Sequence, residues 1–352
     1  MVYTEAEIRK RMQKYGTVYF PKDIRDNEDD LIGIERNKEI LDDFFKSLEK
    51  YQEYAAQLQK VRITPSITVL LYGPPGTGKT SLTRALAKKH EVPMCVVDAD
   101  KLVSPLLGDT LKNMRNVIEL AADIARENKV FLLFFDELDA IASERSNVHE
   151  VGEIKRGVIS FLQIIDRIDY EGIPLAIFGA TNHQNQLDSA VWRRFTYHIW
   201  FGFPNLVIRK EIIERFLRRL EKASIEVEQS VFSRIEKEEK QLLQDFEEKK
   251  KKSRKLTLID YEDKLRQETG LLSITRGYTG ADIERAIRVS LLKAIQKGFL
   301  EYQDLINAME FVGGTRSHVE QQSVLSESKD DSNQSKKTTS SLASNKKKPR
   351  EI

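Results

Sequence analysis

Eight consecutive residues of this chain have the types and spacing of a loop that binds the phosphates of a nucleotide. Residues 73–80, GPPGTGKT, follow an apolar run that ends at Tyr72 and precede a segment with helical spacing. In such a strand, loop and helix, the glycines let backbone N–H groups point inward at phosphate oxygens, and the helix N-terminus adds a favourable potential. The sequence therefore predicts a site for a nucleoside triphosphate.

Individual side chains of this loop have separate chemical tasks. Lys79 places a positive charge on the phosphate oxygens, and Thr80 offers a hydroxyl to Mg²⁺. A glycine-rich turn without a ligand is the plain alternative, which the full match in its strand and helix context argues against. The residues predicted to contact the nucleotide here are Pro75, Gly76, Thr77, Gly78, Lys79, Thr80 and Ser81.

Two adjacent carboxylates follow a later apolar run, at Asp136 and Glu137. At the carboxyl end of a buried parallel strand they lie where such sheets place their ligands. Asp136 suits the Mg²⁺ shell beside Thr80, and Glu137 is free to polarise an attacking water, a general-base role typically worth about 10²–10⁴ in rate. Two acids that only cap the next helix would be the structural alternative.

Polar residues beyond the next two apolar runs complete the candidate catalytic set. Asn182 follows a strand and could hydrogen-bond the γ-phosphate or the attacking water, or be only a polar turn residue. Arg193 and Arg194 come later, where a guanidinium could reach the γ-phosphate of a neighbouring subunit and stabilise the charge of transfer. A surface salt bridge is the alternative for this pair.

Short apolar runs alternate with amphipathic helical segments between about residues 66 and 203. The predicted strands are 68–72, 94–98, 130–135, 175–180 and 198–201. Strands that alternate with helices indicate an α/β fold, with a five-stranded parallel sheet covered by helices on both faces. Pro204 marks a boundary, after which the pattern is helical.

The pattern along the chain divides it into four parts. We expect a helical N-terminal segment, the α/β core, a small helical part and a disordered tail rich in Ser, Lys and Asn. The charged stretch inside the helical part predicts a long exposed helix or a hairpin, which is either a solvated decoration or a docking arm. In order, the parts are residues 1–24, 25–203, 204–314 with the charged insert at 222–268, and 315–352.

Composition limits the partners and the compartment. The chain has 57 basic and 55 acidic residues, so its net charge of +2 gives no general attraction to nucleic acid or membrane. Cys95 is the one cysteine among 352 residues, which favours a reducing compartment and a buried structural role for the thiol. No apolar run approaches the roughly 20 residues that span a bilayer. We therefore expect a cytoplasmic protein.

Taken together, these motifs resemble the AAA+ ATPases of the AAA subfamily, over about residues 25–312. The phosphate loop, the acid pair, the Ala180-Thr181-Asn182 run and the arginine pair come in the family's order. A Gly277-Tyr278-Thr279-Gly280-Ala281-Asp282 turn resembles the one in the family's helical lid. The resemblance implies a P-loop core with a lid, a hexameric ring, ATP with Mg²⁺ between subunits, and ATP hydrolysis.

Further site residues follow from the resemblance alone. It implies adenine contacts from Ile32 and Gly33 and from Gly280 and Ala281, and it places Asp166 where the family relays nucleotide state to the next subunit. The pore loop corresponds to Leu106, Leu107 and Gly108, where Leu106 replaces the aromatic residue of threading members. The two arginines are adjacent here, whereas the family usually separates them, so both remain candidates for the residue supplied in trans.

Three hypotheses describe what the ATP hydrolysis would drive. The leading one is a ring that remodels, unfolds or delivers a protein substrate, and one version of it works with a separately encoded subtilisin-like protease in phage defence. The second is a motor or loader on nucleic acid, favoured by the basic cluster at 249–255 and by the basic tail. The third is a switch in which ATP binding controls a partner, but such a switch has no need of Glu137.

Overall fold

The computed structural model describes residues 3–61, 67–102, 109–128, 130–142, 151–263 and 270–316. The chain divides into two compact units, Met1–Phe203 and Pro204–Ile352. The first unit contains the large sheet and the candidate catalytic residues, and the described residues of the second are mostly helical.

The described part of the first unit alternates strands with helices along the chain. Its elements are α1 (Glu5–Met12), β1 (Gly16–Tyr19), α2 (Glu35–Lys60), β2 (Thr68–Tyr72), α3 (Lys79–Lys89), β3 (Met94–Val97), α4 (Ala99–Leu102), α5 (Asp109–Asn128), β4 (Phe131–Phe135), α6 (Leu138–Ala142), α7 (Val151–Glu171), β5 (Leu175–Thr181), α8 (Ser189–Arg194) and β6 (Tyr197–Trp200). The five predicted strands are β2 to β6, each within two residues of its predicted limits. This confirms the α/β fold class.

These strands form one sheet in the order β1-β3-β4-β5-β2-β6. Every adjacent pair of strands among β2 to β6 is parallel, as predicted. Leu70 of β2 is level with Gly179 of β5 on one side and with His198 of β6 on the other. Because β2 lies between β5 and β6 and next but one to β4, the carboxyl ends of these strands meet at one edge of the sheet. The loops that follow them carry most of the candidate residues.

The N-terminal segment departs from its predicted helical form. Strand β1 lies within it and adds a sixth, antiparallel strand, which pairs Gly16 with Val97 and Tyr19 with Met94. An added Cβ at Gly16 would lie 2.1 Å from the carbonyl oxygen of Val96, so only glycine fits. Strand β1 pairs with a strand that is distant in the sequence. The helical pattern of the residues just before β1 did not indicate this pairing.

Both faces of the sheet are covered, which explains why its central strands are apolar without alternation. Every residue of β4 and β5 is buried. On one face the core includes Ile118 of α5 and Ile165 of α7. On the other it includes Phe45 of α2 and Leu82 of α3. The strand ends are thereby held rigidly between two packed layers.

In its described residues, the second unit consists of helices and one pair of very short strands. Its described elements are α9 (Leu206–Lys222), β7 (Glu226–Val227), α10 (Gln229–Lys252), α11 (Leu258–Glu262), α12 (Leu271–Ile274), α13 (Gly280–Lys297), β8 (Phe299–Leu300) and α14 (Tyr302–Val312). A buried ion pair joins α9 to α11, because Arg209 Nη2 lies 2.6 Å from Glu262 Oε1 and both side chains are almost fully buried. Arg209 also donates to the carbonyl oxygen of Leu272 at 2.8 Å.

Within the described part of the charged insert, the short helix α11 follows one long helix, α10. The charged side of α10 is exposed, while a stripe of four residues is buried within the unit: Val231, Ile235, Leu242 and Phe246. The carboxylate of Glu238 accepts the backbone N–H groups of Leu272 and Ser273, at 3.1 and 2.9 Å, and so caps the N-terminus of α12. The helix is therefore part of the packing of this unit.

The long helices of the described chain are charged as well as apolar. Helix α2 has 26 residues and α10 has 24, and both contain many Lys, Glu and Asp side chains. Within the residues that the structure describes, no helix is long and apolar enough to cross a membrane.

Candidate functional site

The loop between β2 and α3 has the backbone conformation that its glycines predict. Gly73 has φ 137°, and an added Cβ there would lie 2.0 Å from the carbonyl oxygen of Phe201. Gly78 has φ 96° and forms the N-cap of α3, so the loop enters the helix through a left-handed residue. The first N–H groups of α3 therefore face the concave side of the loop, where the fold can hold an anion.

Lys79 lies under this loop and is only 6% exposed. Its ammonium donates to the carbonyl oxygens of Gly73 and Pro74, at 2.8 Å each. Burial lowers the pKa of Lys79 to about 8, although the charges of Asp136 and Asp139 act to raise it. An ammonium in this place can exchange loop carbonyls for phosphate oxygens, which bind a cation more strongly.

Thr80 and Asp136 come together as the sequence predicted. The Thr80 hydroxyl donates to Asp136 Oδ2 at 3.1 Å. Adjacent ligands of an octahedral Mg²⁺ ion are about 3.0 Å apart when each Mg–O distance is about 2.1 Å. The two oxygens therefore fit one Mg²⁺ ion that also binds nucleotide phosphates. Among the described residues, no group of three or more His, Cys, Asp or Glu side chains could by itself hold a metal.

Glu137 follows Asp136 in a backbone conformation that is rare for a residue with a side chain. Its φ is 52°, and its N–H donates to Asp136 Oδ1 at 3.1 Å. A non-glycine residue in this region costs of order 1–3 kcal/mol, and such residues cluster at functional sites. The turn leaves the Glu137 side chain exposed at the sheet edge, while Leu138 just after it is buried. An exposed carboxylate held in this way can accept a proton from water.

Asn182 lies directly after β5, and two residues that sequence reasoning did not assign hold the backbone there. The Thr181 hydroxyl donates to Asp139 Oδ1 at 2.6 Å and accepts the N–H of His183 at 3.0 Å. These bonds tie the strand end that presents Asn182 to the first turn of α6, just after Glu137. The signal that could have found them is the position of Asp139 three residues after Asp136, and of Thr181 just before Asn182.

The segment around Ile32 and Gly33 lies against the phosphate loop. Gly33 has φ 80°, and its N–H donates to Glu35 Oε1 at 3.1 Å. An added Cβ at Gly78 would lie 3.5 Å from Leu31 and 3.7 Å from Ile34, so the residues flanking this pair pack on the start of α3. Apolar side chains beside a phosphate loop are suited to contact a base.

Gly280 and Ala281, the other predicted adenine contacts, belong to the second unit. They form the first turn of α13, which Thr279 caps together with Asp282. An added Cβ at Gly280 would meet no atom within 4 Å, so the backbone here is open to a ligand. Asp282 is fixed further by the N–H of Thr315, at 3.0 Å.

The two adjacent arginines have different surroundings. Arg194 Nε lies 2.7 Å from Asp166 Oδ1 on α7. The Arg193 side chain is exposed, and among the residues that the structure describes it has no ion pair or hydrogen bond. One of the two predicted candidates is therefore engaged within its own chain, by the same Asp166 that the resemblance singled out. The other can reach a second molecule.

The candidate pore loop, Leu106, Leu107 and Gly108, lies outside the described residues. The same holds for the tail at 317–352 and for part of the insert, 264–269. Cys95, in contrast, is buried within β3, and burial raises the pKa of its thiol to about 12. The thiol is therefore unreactive, as predicted for a core residue.

Comparison with known proteins shows which family this part of the chain is similar to. Residues 69–203 match the family model described as "ATPase family associated with various cellular activities (AAA)". That stretch begins in β2 and ends after β6, so it contains the phosphate loop, both acids, Asn182 and the arginine pair.

Three relatives illustrate the range of similar proteins. An uncharacterized AAA family ATPase, y4kL, from Sinorhizobium fredii is 34% identical over 192 residues, which is 54% of this chain and 53% of that protein. A cell division cycle protein 48 homolog from Archaeoglobus fulgidus is 31% identical over 205 residues, 57% of this chain and 27% of that protein. The 26S proteasome regulatory subunit 6A of Encephalitozoon cuniculi is 32% identical over 213 residues, which is 59% of this chain and 51% of that protein. The chain thus spans about half or less of the length of these relatives.

Proposed function

We propose that this protein is an ATP-driven ring that remodels, unfolds or delivers a protein substrate, because residues 69–203 match the model of the AAA family of ATPases. The observation that carries the proposal is the meeting of three groups at one sheet edge. These are the buried Lys79, the Thr80–Asp136 oxygen pair and the strained Glu137. Together they provide phosphate binding, a place for Mg²⁺ and a general base.

The chemistry follows from what each side chain can do. Lys79 binds the phosphates, and Thr80 with Asp136 would hold Mg²⁺, which neutralises charge on the phosphate oxygens. Glu137 takes the proton from the attacking water, and Asn182 orients that water or the γ-phosphate. Thr181 and Asp139 position Asn182 through their 2.6 Å hydrogen bond. Cleavage of the bond to the γ-phosphate leaves ADP and phosphate.

We assign the arginine supplied in trans to Arg193. Its side chain is exposed and lacks a partner among the described residues, whereas Arg194 is paired with Asp166. An arginine supplied by a neighbour links hydrolysis in one subunit to assembly with the next, so the active form is a closed ring. A hexamer is the form that the family resemblance supports.

The names of two relatives support the proposal that the substrate is a protein. One is named as a regulatory subunit of the proteasome, and another as a homolog of cell division cycle protein 48. We propose that this chain likewise applies force to proteins, with Leu106, Leu107 and Gly108 as the candidate contact with the substrate. A finer version adds a separately encoded protease that receives the substrate.

The test is to capture partners of a ring that cannot complete hydrolysis. Tagged Glu137→Gln is purified from native cells with ATP and Mg²⁺, and the bound proteins are identified by mass spectrometry. The matched control is Glu137→Gln combined with Lys79→Ala, which lacks the phosphate-binding cation. Proteins held only by the first variant are clients or partners, and a protease among them would support the finer version. If the two variants retain the same proteins, ATP does not control substrate binding and the remodelling proposal is wrong.

A second candidate function is a motor on nucleic acid, and one surface favours it. This surface comprises two lysines at the end of α10 and two basic residues just after Ser253. All four are exposed and without ion-pair partners among the described residues: Lys251, Lys252, Arg254 and Lys255. Earlier in the helix Lys240 and Lys249 are paired with acids one turn away. If the cluster binds phosphates, DNA affinity should fall steeply with salt, and removal of two lysines should reduce the slope by about 2. Affinity that does not respond to salt would exclude this function.

A further inference from the structure

Four aromatic residues pack together at the outer edge of the sheet, beside the arginine pair. We call Tyr72, Trp192, His198 and Trp200 the edge cluster. The rings of Trp192 and His198 stack, with centroids 4.4 Å apart and planes inclined by 9°. Tyr72 contacts Trp192 at 5.1 Å and Trp200 at 5.2 Å between centroids. The rings therefore form one continuous patch.

The patch is rigid as well as continuous. His198 Nε2 lies 2.9 Å from the carbonyl oxygen of Trp192, which fixes β6 against α8. The N–H of Phe201 donates to the carbonyl oxygen of Tyr72 at 2.9 Å, and the carbonyl oxygen of Trp200 accepts from Asn37 at 2.9 Å. Aromatic side chains held in this way lose little entropy when they are covered by a partner.

Part of this patch is exposed to solvent: the side chains of His198 and Trp200 are exposed, while those of Tyr72 and Trp192 are half-buried. Trp200 is 48% exposed, and it lies on β6, the outermost strand of the sheet. Single exposed apolar residues need no explanation, but several contiguous aromatic rings mark an interaction surface. Tryptophan, tyrosine and arginine are the residue types that dominate the binding energy of protein interfaces.

The position of Arg193 indicates what covers the patch. Arg193 follows Trp192 directly in the last turn of α8, and it is exposed without a partner among the described residues. An arginine side chain reaches less far than the ~10 Å width of a helix, so a molecule that receives Arg193 must lie close to α8 and the surface around it. If Arg193 completes the site of a neighbour, that neighbour also covers the edge cluster.

We propose that the edge cluster is the contact surface for a second copy of this chain, the copy whose nucleotide site receives Arg193. The inference rests on the proposed function, because it takes the trans role of Arg193 as given. It adds the residues that hold the two copies together: Trp200 and the Trp192–His198 stack pack against the neighbour, and Tyr72 supports them from behind. Burial of these rings supplies the apolar contact that an exposed arginine alone lacks.

Intrinsic fluorescence tests this without a label, because the chain has two tryptophans and both belong to the edge cluster. The full chain is diluted in Mg²⁺ with a slowly hydrolysed ATP analogue, while mass photometry follows assembly. Acrylamide quenching of tryptophan emission is measured at each dilution. We expect the quenching constant to fall at least about twofold as the protein assembles. Nucleotide added to dilute monomer should leave it unchanged.

A pair of variants tests the energetic contribution. Trp200→Ser should raise the concentration of half-assembly at least tenfold, which corresponds to about 1.4 kcal/mol. It should leave nucleotide affinity of the monomer within about twofold, since the substitution changes none of the residues assigned to the nucleotide site. Tyr54→Ser is the matched control, since Tyr54 is 52% exposed and lies on α2, the helix that packs on the other face of the sheet. It should assemble as the unaltered chain does.

The outcomes separate this inference from the proposed function. Assembly with unchanged acrylamide quenching would overturn the edge-cluster contact and leave the ring intact. Assembly of Trp200→Ser at the original concentration would do the same. If the unaltered chain hydrolyses ATP but stays monomeric at every concentration, the trans role of Arg193 fails, and the inference fails with it.

Discussion

The Arg194 guanidinium and the Asp166 carboxylate form an ion pair between α8 and α7, with Nε 2.7 Å from Oδ1. Both side chains are about half exposed, at 43% and 50%, so the pair is worth no more than about 1 kcal/mol. It is strong enough to orient Arg194 and weak enough to exchange for another partner. Two neighbouring arginines thereby become inequivalent: one is held within its chain, and Arg193 is left to reach outward.

Replacing each arginine separately tests this difference. Arg193→Ala should reduce kcat by about 10³-fold with nucleotide affinity unchanged, because the lost cation acts on charge that develops during transfer. Arg194→Ala should reduce kcat by less, about tenfold, through loss of the Asp166 contact. Steady-state ATPase assays and nucleotide titrations measure both effects.

Mixed rings provide the control for the trans assignment. In a mixture of Arg193→Ala with Lys79→Ala chains, some sites combine an intact phosphate loop with an intact neighbouring Arg193. Activity should therefore exceed that of either variant alone. A mixture as inactive as its components, in rings shown to contain both chains, would place Arg193 outside the neighbour's site.

Glu137→Gln should bind ATP normally and lower kcat by about 10²–10⁴-fold, because an amide cannot accept the proton of the attacking water. Glu91→Gln is a matched control. Glu91 is also exposed and also has a positive φ, of 54°. It lies before β3, away from the carboxyl ends of the strands that carry the candidate catalytic residues. The control should retain full activity. Ordinary turnover by the Glu137 variant would remove this residue from the general-base role.

The affinity for ATP should depend on pH through Lys79. In the free protein burial lowers the pKa of Lys79 to about 8, while bound phosphates favour its charged form and raise that pKa. Binding above pH 8 therefore requires proton uptake, and affinity should fall as pH rises from 8 to 9.5. Calorimetry in two buffers of different ionisation enthalpy measures the protons. Lys79→Arg stays charged, so its affinity should be lower but flat, and a parallel fall in both proteins would exclude Lys79 as the cause.

Thr80→Val should raise the Mg²⁺ concentration for half-maximal ATPase by about tenfold or more, because it removes one oxygen of the pair 3.1 Å apart. Thr80→Ser keeps the hydroxyl and should behave like the unaltered chain. Chelation of Mg²⁺ should abolish hydrolysis in all three. Equal Mg²⁺ requirements for Val and Ser would show that the hydroxyl is not a ligand.

The Asp169 carboxyl should contribute to the stability of the first unit at acidic pH and lose that contribution as the pH rises. Burial, and then the charge of Asp166, raise the pKa of Asp169 from 3.8 to about 6. The native state therefore holds this proton more tightly than the unfolded chain, and stability falls as pH rises from about 4 to 6. Asp169→Asn removes the buried charge and should raise Tm at pH 8 by a few degrees. The gain should vanish towards pH 4, and a gain equal at both pH values would contradict the assignment.

Local patterns were sufficient for the nucleotide site and for most of the sheet. The run 73–80 carries its own backbone requirements in its glycines, and the acids follow their strand directly, so no distant contact is needed to recognise them. The five parallel strands could be found because burial on both faces leaves continuous apolar runs. Strand β1 could not, since its pairing with β3 depends on the register Gly16 with Val97 and not on its own pattern.

Other features of the candidate site depend on contacts between segments that are distant in the sequence. Sequence treated Arg193 and Arg194 as equal candidates, and only the position of Asp166 on α7 distinguishes them. Thr181 and Asp139 are far apart in the chain, and they meet because β5 and the end of β4 lie side by side.

The sequence by itself was sufficient to predict the chemistry that we propose for this protein: a phosphate loop, two oxygen ligands for Mg²⁺ and a general base. Only the tertiary structure decided which side chains support that chemistry and which surface faces outward. The edge cluster shows why, since Tyr72 and Trp200 touch only because β2 and β6 are paired. Contacts between distant segments depend on strand order and register, and these follow from packing of the whole chain rather than from any local pattern.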